Sequence, residues 1–244
     1  MLNELLLIVS VLVIYGGVIL FYKLHGLSGL YGWTVLATIA ANIEVLILID
    51  AFGMEQTLGN VMFASSFLVT DIISEVYGKK EAQKAVNIGI TASFMFILIS
   101  QLWLCYDPSA NDWAMPSIEA IFSNTPRLML VSFLVYAICQ RFDVWLYHKW
   151  WGFTEKRFGS RRKYLWVRNN GSTLISQLLN TILFNVGAFW GMYDGKTLIS
   201  IIGAGYIIYV VTSLADTPFV YLARKISEKR LQEKDLQERK ISER

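Results

Sequence analysis

The sequence predicts an all-α, polytopic membrane helix bundle of about seven spans, and three observations predict it. Hydrophobic residues make up 55% of the 244-residue chain and aromatic residues 14%. With a mean hydropathy of +0.45, this exceeds what a soluble domain of that length needs for its core. Seven apolar segments follow one another with no room for a soluble domain between them. Lysine and arginine then fall in alternate loops, the asymmetry that fixes orientation in a bilayer.

The segments are 5–22, 30–50, 61–77, 82–105, 126–147, 169–190 and 197–223, each near the roughly 20 residues that cross about 30 Å of hydrocarbon. The first begins with Glu4 and lacks a basic n-region or a small-residue cleavage site, so it reads as a retained helix rather than a signal peptide. Lys23 lies between spans one and two, and Lys79, Lys80 and Lys84 between three and four. Lys149, Lys156, Arg157, Arg161, Arg162, Lys163 and Arg168 lie between five and six, and eight more basic residues follow span seven. Only Arg127, Arg141 and Lys196 fall elsewhere. This predicts an outside N-terminus, a transmembrane domain over 1–223 and a charged cytoplasmic tail over 224–244.

The net charge of +3 is dispersed over loops beside lipid headgroups and calls for no nucleic acid. In the tail, Ile226, Leu231, Leu236 and Ile241 recur every five residues, which is no heptad; a solvated helix is expected. The outer loop 106–125 is expected to hold a short interfacial helix around 118–122, ending before Pro126 opens span five. Trp33, Trp103, Trp145, Trp150, Trp151 and Trp166 sit near span ends and read as an interfacial belt. The Gly187 to Gly191 spacing is a weak helix-contact signal.

Several chemistries are excluded. Cys105 and Cys139 lie in spans and provide neither a disulfide framework nor a metal site. The histidines, His25 and His148, lack the HExxH spacing of a metalloprotease, and there is no GxxxxGK[ST] phosphate loop. Neither metal, cofactor nor enzymatic activity is expected.

The informative positions are polar residues inside spans. Asp71 and Glu75 stand one helical turn apart in span three, on one face, with no basic residue in that span to neutralise them. An ionisable group at bilayer depth is costly and marks a functional site by default. In span five, Tyr136, Gln140, Asp143 and Tyr147 form a stripe, and Asp143 is expected to pair with Arg141 or another cation. In span six, Asn169, Ser172, Thr173, Ser176, Gln177 and Asn180 occupy one face. Such residues are also common helix glue, at about 1 kcal/mol or less per hydrogen bond. Asn42 and Glu44 in span two, with Ser213, Asp216 and a helix-breaking Pro218 in span seven, add to a set converging near the midplane, where transported solutes bind.

Four stretches carry a resemblance to the queuosine precursor transporter family, in the vitamin-uptake-transporter group: FLVTDIISEVYGKKEAQK (67–84), YAICQRFDVWLYHK (136–149), RNNGSTLISQLLNTILF (168–184) and, more weakly, DTPFVY (216–221). The resemblance implies import of a 7-deazaguanine, such as 7-cyano- or 7-aminomethyl-7-deazaguanine or queuine, across the bacterial inner membrane for tRNA modification. A guanine-like edge donates from N1–H and an exocyclic amine, which one carboxylate can accept as a pair. On this reading Asp71 or Glu75 holds that edge, Asn180, Gln177 and Asn42 supply further hydrogen bonds, and Phe67 or Tyr77 packs on the ring. Ser172 and Asp143 complete the expected substrate-binding set. The chain departs from the family pattern at Asn180, Tyr209 and Ser213, neutral residues where aspartate, lysine and glutamate are common. The family also resembles the substrate-binding membrane components of energy-coupling-factor importers, six-span cores that need an ATPase module in trans. That is the alternative reading, with an ATPase module, or a second copy in a homodimer, as partner.

Overall fold

The computed structural model describes residues 2–123, 126–159 and 164–242; Arg161, Arg162, Lys163 and Arg244 lie outside them. Seven long helices cover the seven expected spans: α1 (Leu2–His25), α2 (Leu27–Glu44), α3 (Gly59–Val76), α4 (Lys79–Trp103), α6 (Pro126–Phe158), α7 (Leu165–Phe189) and α8 (Gly195–Ser242). A short helix, α5 (Met115–Phe122), precedes α6, where an interfacial helix is expected. Five helices are long and apolar enough to cross a membrane: α1, α4, α7, residues Leu130–Arg157 of α6 and Gly195–Glu233 of α8. The protein is thus a multi-pass helical membrane protein.

The remaining two long helices, α2 and α3, are 18 residues each and span about 27 Å at 1.5 Å per residue. Their polar content follows from where they sit. In α3 every residue from Ala64 to Ser74 is buried, because α1, α2, α4, α6 and α8 all pack around it. A helix walled off from lipid on every side needs no apolar face. The opposite case is α1, of which only 22% of the apolar window is buried; Leu5, Leu6, Leu12, Val13 and Leu20 face outward.

Span two is shorter than expected. Its helix ends at Glu44, and 48–57 form an antiparallel hairpin of β1 (Leu48–Ala51) and β2 (Met54–Thr57), with Leu48 opposite Thr57 and Ala51 opposite Met54. Phe52 and Gly53, at φ +55° and +72°, make its two-residue loop, the left-handed geometry that suits strand twist. Asn3 Nδ2 donates to the Asp50 carbonyl at 2.8 Å, tying the hairpin to the start of α1. This end of the bundle is called the hairpin end, and the opposite one the tail end.

Two further expectations change. Pro218 does not break its helix: α8 runs through it from Gly195 to Ser242, so the charged tail prolongs the last span without a joint. Beyond Ala223, Arg230 Nη2 donates to the carbonyls of Tyr22, at 3.1 Å, and Lys23, at 2.5 Å, placing a cation at the C-terminal end of α1, where the helix dipole favours one. Trp33 belongs to no belt; it is buried and donates to Ser65 Oγ at 3.0 Å. Trp103, Trp145 and Trp166 are exposed.

Packing rests on close backbone approach, since lipid leaves little hydrophobic drive between helices. At Gly59 an added Cβ would stand 2.8 Å from the Val45 nitrogen and 3.1 Å from the Ala41 carbonyl oxygen. Both obstacles are backbone and cannot swing aside. Gly59→Ala is therefore expected to lower stability by about 1–3 kcal/mol, the usual cost of overpacking, measurable as a reduced melting temperature in detergent. Gly187 serves α7 in the same way, with a Cβ site 2.8 Å from Val131 Cγ1, while its partner in the GxxxG spacing, Gly191, lies in a turn at φ +82°.

Candidate functional site

At the hairpin end α2, α3, α4, α6, α7 and α8 part around a narrow cleft with about 60 Å3 of interior space. Each helix contributes because its polar or aromatic positions recur at helical spacing. Thr38 and Asn42 come from α2, Asn60 and Phe63 from α3, Ser93 from α4, Tyr136 from α6, Asn180 from α7 and Tyr209 from α8. A wider vestibule of about 270 Å3 adjoins it, sharing Thr57, Asn60, Asn180, Phe184 and Tyr209 and bordered by the hairpin residues Leu48 and Gln56.

The polar walls are ordered by local bonds. Asn42 Nδ2 donates to the Thr38 carbonyl at 2.7 Å, with Ser93 Oγ at 3.5 Å. The Tyr209 hydroxyl donates to Asn60 Oδ1 at 3.1 Å and lies within hydrogen-bonding reach of Asn180. Phe63 makes ring contacts with Tyr136 and Tyr209 at centroid distances of 6.1 and 6.3 Å. Gly89 leaves room for the Tyr136 hydroxyl, which any Cβ there would strike. Two of the positions at which the chain departs from the family pattern, Asn180 and Tyr209, thus meet in one cavity; Ser213 faces Asn170 instead, at 3.5 Å.

Below the cleft the bundle axis is filled with polar groups. Gln140 Nε2 donates to Ser66 Oγ at 2.5 Å and its Oε1 accepts from the Thr70 hydroxyl at 3.3 Å. One turn further, Asp71 Oδ2 accepts from the Thr173 hydroxyl at 2.8 Å. Asp143 faces Ser172 and Ser176 of α7 without a regular hydrogen bond to either oxygen. Asn169 Nδ2 donates to Asp216 Oδ1 at 2.7 Å.

The column ends at the tail end in an ion-pair lock. Arg168, completely buried, donates from Nε to Glu75 Oε2 at 3.0 Å and from Nη2 to both Glu75 oxygens at 2.7 Å. Arg224 Nη1 approaches Glu75 Oε1 at 3.4 Å, and the Tyr147 hydroxyl donates to Oε2 at 2.9 Å. The Arg168 guanidinium also lies over the Trp151 ring, 4.5 Å from its centroid, a placement that favours arginine over lysine.

The residues singled out in the sequence therefore separate into layers. Asn42 and Asn180 line the cleft. Phe67 is packed behind it with Val135 and Cys139. Asp71, Ser172, Gln177 and Asp143 are buried in the column. Glu75 is held by the lock, and Arg168, counted above as a loop residue, is what neutralises it. Tyr77 stands apart at the tail end, half exposed beside the Tyr22 ring. Asp143 does not pair with Arg141, which is directed instead to Asn87 Oδ1 at 3.2 Å. Sequence reasoning left Thr38, Asn60, Phe63 and Ser93 out of the site. Asn60 lies one residue before the apolar segment that begins at 61, so the span boundary hid it.

Among the described residues, no group of three or more His, Cys, Asp or Glu side chains is placed to hold a metal ion. Helices around a cleft open at one end, an internal polar column and an ion-pair lock at the other end define a solute transporter of the membrane. The chain belongs to the family described as "Putative vitamin uptake transporter", whose match covers residues 57–223. It is also similar to a "Probable queuosine precursor transporter" of Bacillus subtilis (strain 168), 36% identical over 209 residues that cover 86% of this chain and 89% of the relative. No solved structure matches the chain.

Proposed function

We propose that this protein imports a queuosine precursor, a 7-deazaguanine such as the 7-cyano or 7-aminomethyl form, across the bacterial inner membrane. The observation that carries this reading is the meeting of two amides, Asn42 and Asn180, with the rings of Phe63, Tyr136 and Tyr209 in one cleft that adjoins a wider vestibule. A flat heterocycle with donors and acceptors on its edge requires that combination: amides to pair with the edge and aromatic faces to stack on the ring. The similarity to the B. subtilis relative supports it. In this reading Asn42 and Asn180 touch the solute and Asp71, one layer deeper, receives its edge as it moves inward. Glu75 acts on the path through the lock rather than as a ligand.

The loop charges supply the orientation: seven spans, with the hairpin end outside and the tail end in the cytoplasm. The cleft then opens outward and the Glu75–Arg168–Arg224 lock closes the inner side. The transmembrane domain is 1–223, with 224–244 a charged cytoplasmic tail whose described part continues α8 to Ser242.

The test is thermal stabilisation of the purified chain, and uptake into liposomes holding it alone, across a panel of 7-deazaguanines and vitamins. Stabilisation and uptake by a deazaguanine, with adenine and vitamins inactive, is the expected result; a response confined to a vitamin overturns the substrate. Uptake that appears only when an ATPase module is added places the chain among energy-coupling-factor components.

A further inference from the structure

Four carboxylates meet in the tail-end half of the bundle: Asp71 and Glu75 on α3, Asp143 on α6 and Asp216 on α8. Asp71, Asp143 and Asp216 are each at most 1% exposed. Both guanidinium groups of this layer, Arg168 and Arg224, go to Glu75, and among the described residues no ion pair reaches the other three. Asp216 has the Asn169 amide. Asp71 has Thr173 on one oxygen, whereas its Oδ1 and both oxygens of Asp143 make no regular hydrogen bond. The Ser176 hydroxyl, itself fully buried and without a regular partner, is turned toward Asp143. Asp71 and Asp143 come from the packed helices α3 and α6 and face neighbouring positions of α7, Thr173 for Asp71 and Ser172 and Ser176 for Asp143.

A carboxylate with no partner at bilayer depth costs several kcal/mol if ionised and unpaired, so it must carry a proton or hold a cation. The second remedy does not suit this layer. No third carboxylate, histidine or cysteine completes a metal site among the described residues, and neither Asp71 nor Asp143 borders the cleft or the vestibule. A proton needs no cavity.

We propose that Asp71 and Asp143 form a proton-binding pair that couples solute uptake through the cleft to proton movement. This rests on the import reading above. The titratable groups facing the pair are Glu75 on α3, Cys139 and Tyr147 on α6 and Asp216 on α8; Arg168 on α7 is one contact further, on Glu75, and Asp216 also faces Tyr15 on α1. Coupling to the lock follows from spacing, since Asp71 and Glu75 are i, i+4 neighbours on one face. The proton enters with the solute from the outer side and leaves to the cytoplasm past the lock. An ionised Asp71 then competes with Glu75 for the Arg168 guanidinium and holds the inner side open while the solute departs, and Arg168 returns to Glu75 before the pair takes its next proton from outside.

Two measurements on the full chain test this. The first needs no solute: a hydrophobic carbodiimide reacts with protonated carboxyl groups in apolar surroundings, and the modified residue is read by mass spectrometry. Modification of Asp71 or Asp143 that declines as pH rises, and that is lost from Asp71 in Asp143→Asn, is expected. No modification at either residue overturns the pair, whatever the solute. The second uses liposomes and the uncharged probe 7-cyano-7-deazaguanine, so that the solute brings no charge of its own. Acid outside is expected to drive accumulation above equilibrium, while a sodium gradient gives none. Asp143→Asn is expected to lose that accumulation but keep solute exchange and stabilisation by the probe, and Asp216→Asn to retain it. Accumulation by Asp143→Asn equal to that of the unmodified chain overturns the proposal. Carbodiimide labelling of the pair without any binding of the probe would instead overturn only the deazaguanine reading.

Discussion

Arg168→Ala is expected to lower stability by about 3–5 kcal/mol, the cost of leaving one member of a buried ion pair without the other. Glu75, with a side chain only 5% exposed, would keep Arg224 at 3.4 Å and Tyr147 at 2.9 Å, but would lose three hydrogen bonds from Arg168. The consequence is a large fall in melting temperature and in the amount of protein recovered from membranes. Arg168→Lys is expected to rescue little, because an ammonium can neither bridge both oxygens nor lie flat on Trp151. The double variant Glu75→Gln/Arg168→Gln should recover part of the loss, since it removes the two most deeply buried charges and leaves Arg224 with Glu228. A melting temperature in Arg168→Ala equal to that of the parent would show that the lock contributes nothing to the fold.

Asn180→Leu is expected to reduce transport with little effect on folding. Asn180 borders both the cleft and the vestibule, and leucine fills a similar volume while removing both the donor and the acceptor. A buried solute group left unpaired costs about 1–3 kcal/mol, equivalent to an increase of about 5- to 150-fold in the concentration needed for half-maximal uptake. The measurement is concentration-dependent uptake in liposomes beside a melting curve of the same preparation. An unchanged uptake curve would remove Asn180 from the solute's path. Tyr209→Phe, which gives up the bond to Asn60, is a milder probe of the same wall.

The helical architecture was legible because it depends on local pattern: apolar runs of span length and alternating loop charge. The end of α2 was not. Residues 46–51 (LILIDA) extend an apolar run without a break, and a short apolar run reads equally as helix or strand by periodicity alone. The two-residue loop Phe52–Gly53 was the available signal, though phenylalanine at positive φ is unusual there. The polar stripes of α6 and α7 were visible, and they line the column below the cleft. What each residue in a stripe touches was not visible, because that depends on helix rotation set by packing. Arg168 shows the difficulty. An arginine beside a span is assigned to the cytoplasmic loop by its charge, and only a carboxylate 93 residues away explains its burial. Phe67 was expected on the solute and packs behind the wall, since an aromatic on a fully buried helix has several faces on which to pack.

The lock also explains how this chain is put together as an inherited object. Glu75 belongs to the stretch 67–84, Tyr147 to 136–149 and Arg168 to 168–184, so three separate signatures are parts of a single contact. A change in one leaves a charge or an acceptor stranded in the others, and no single mutation can repair it by a conservative step. Lineages should therefore keep or exchange these stretches together, while the cleft above, whose walls are neutral amides and rings, can drift one residue at a time toward a new solute.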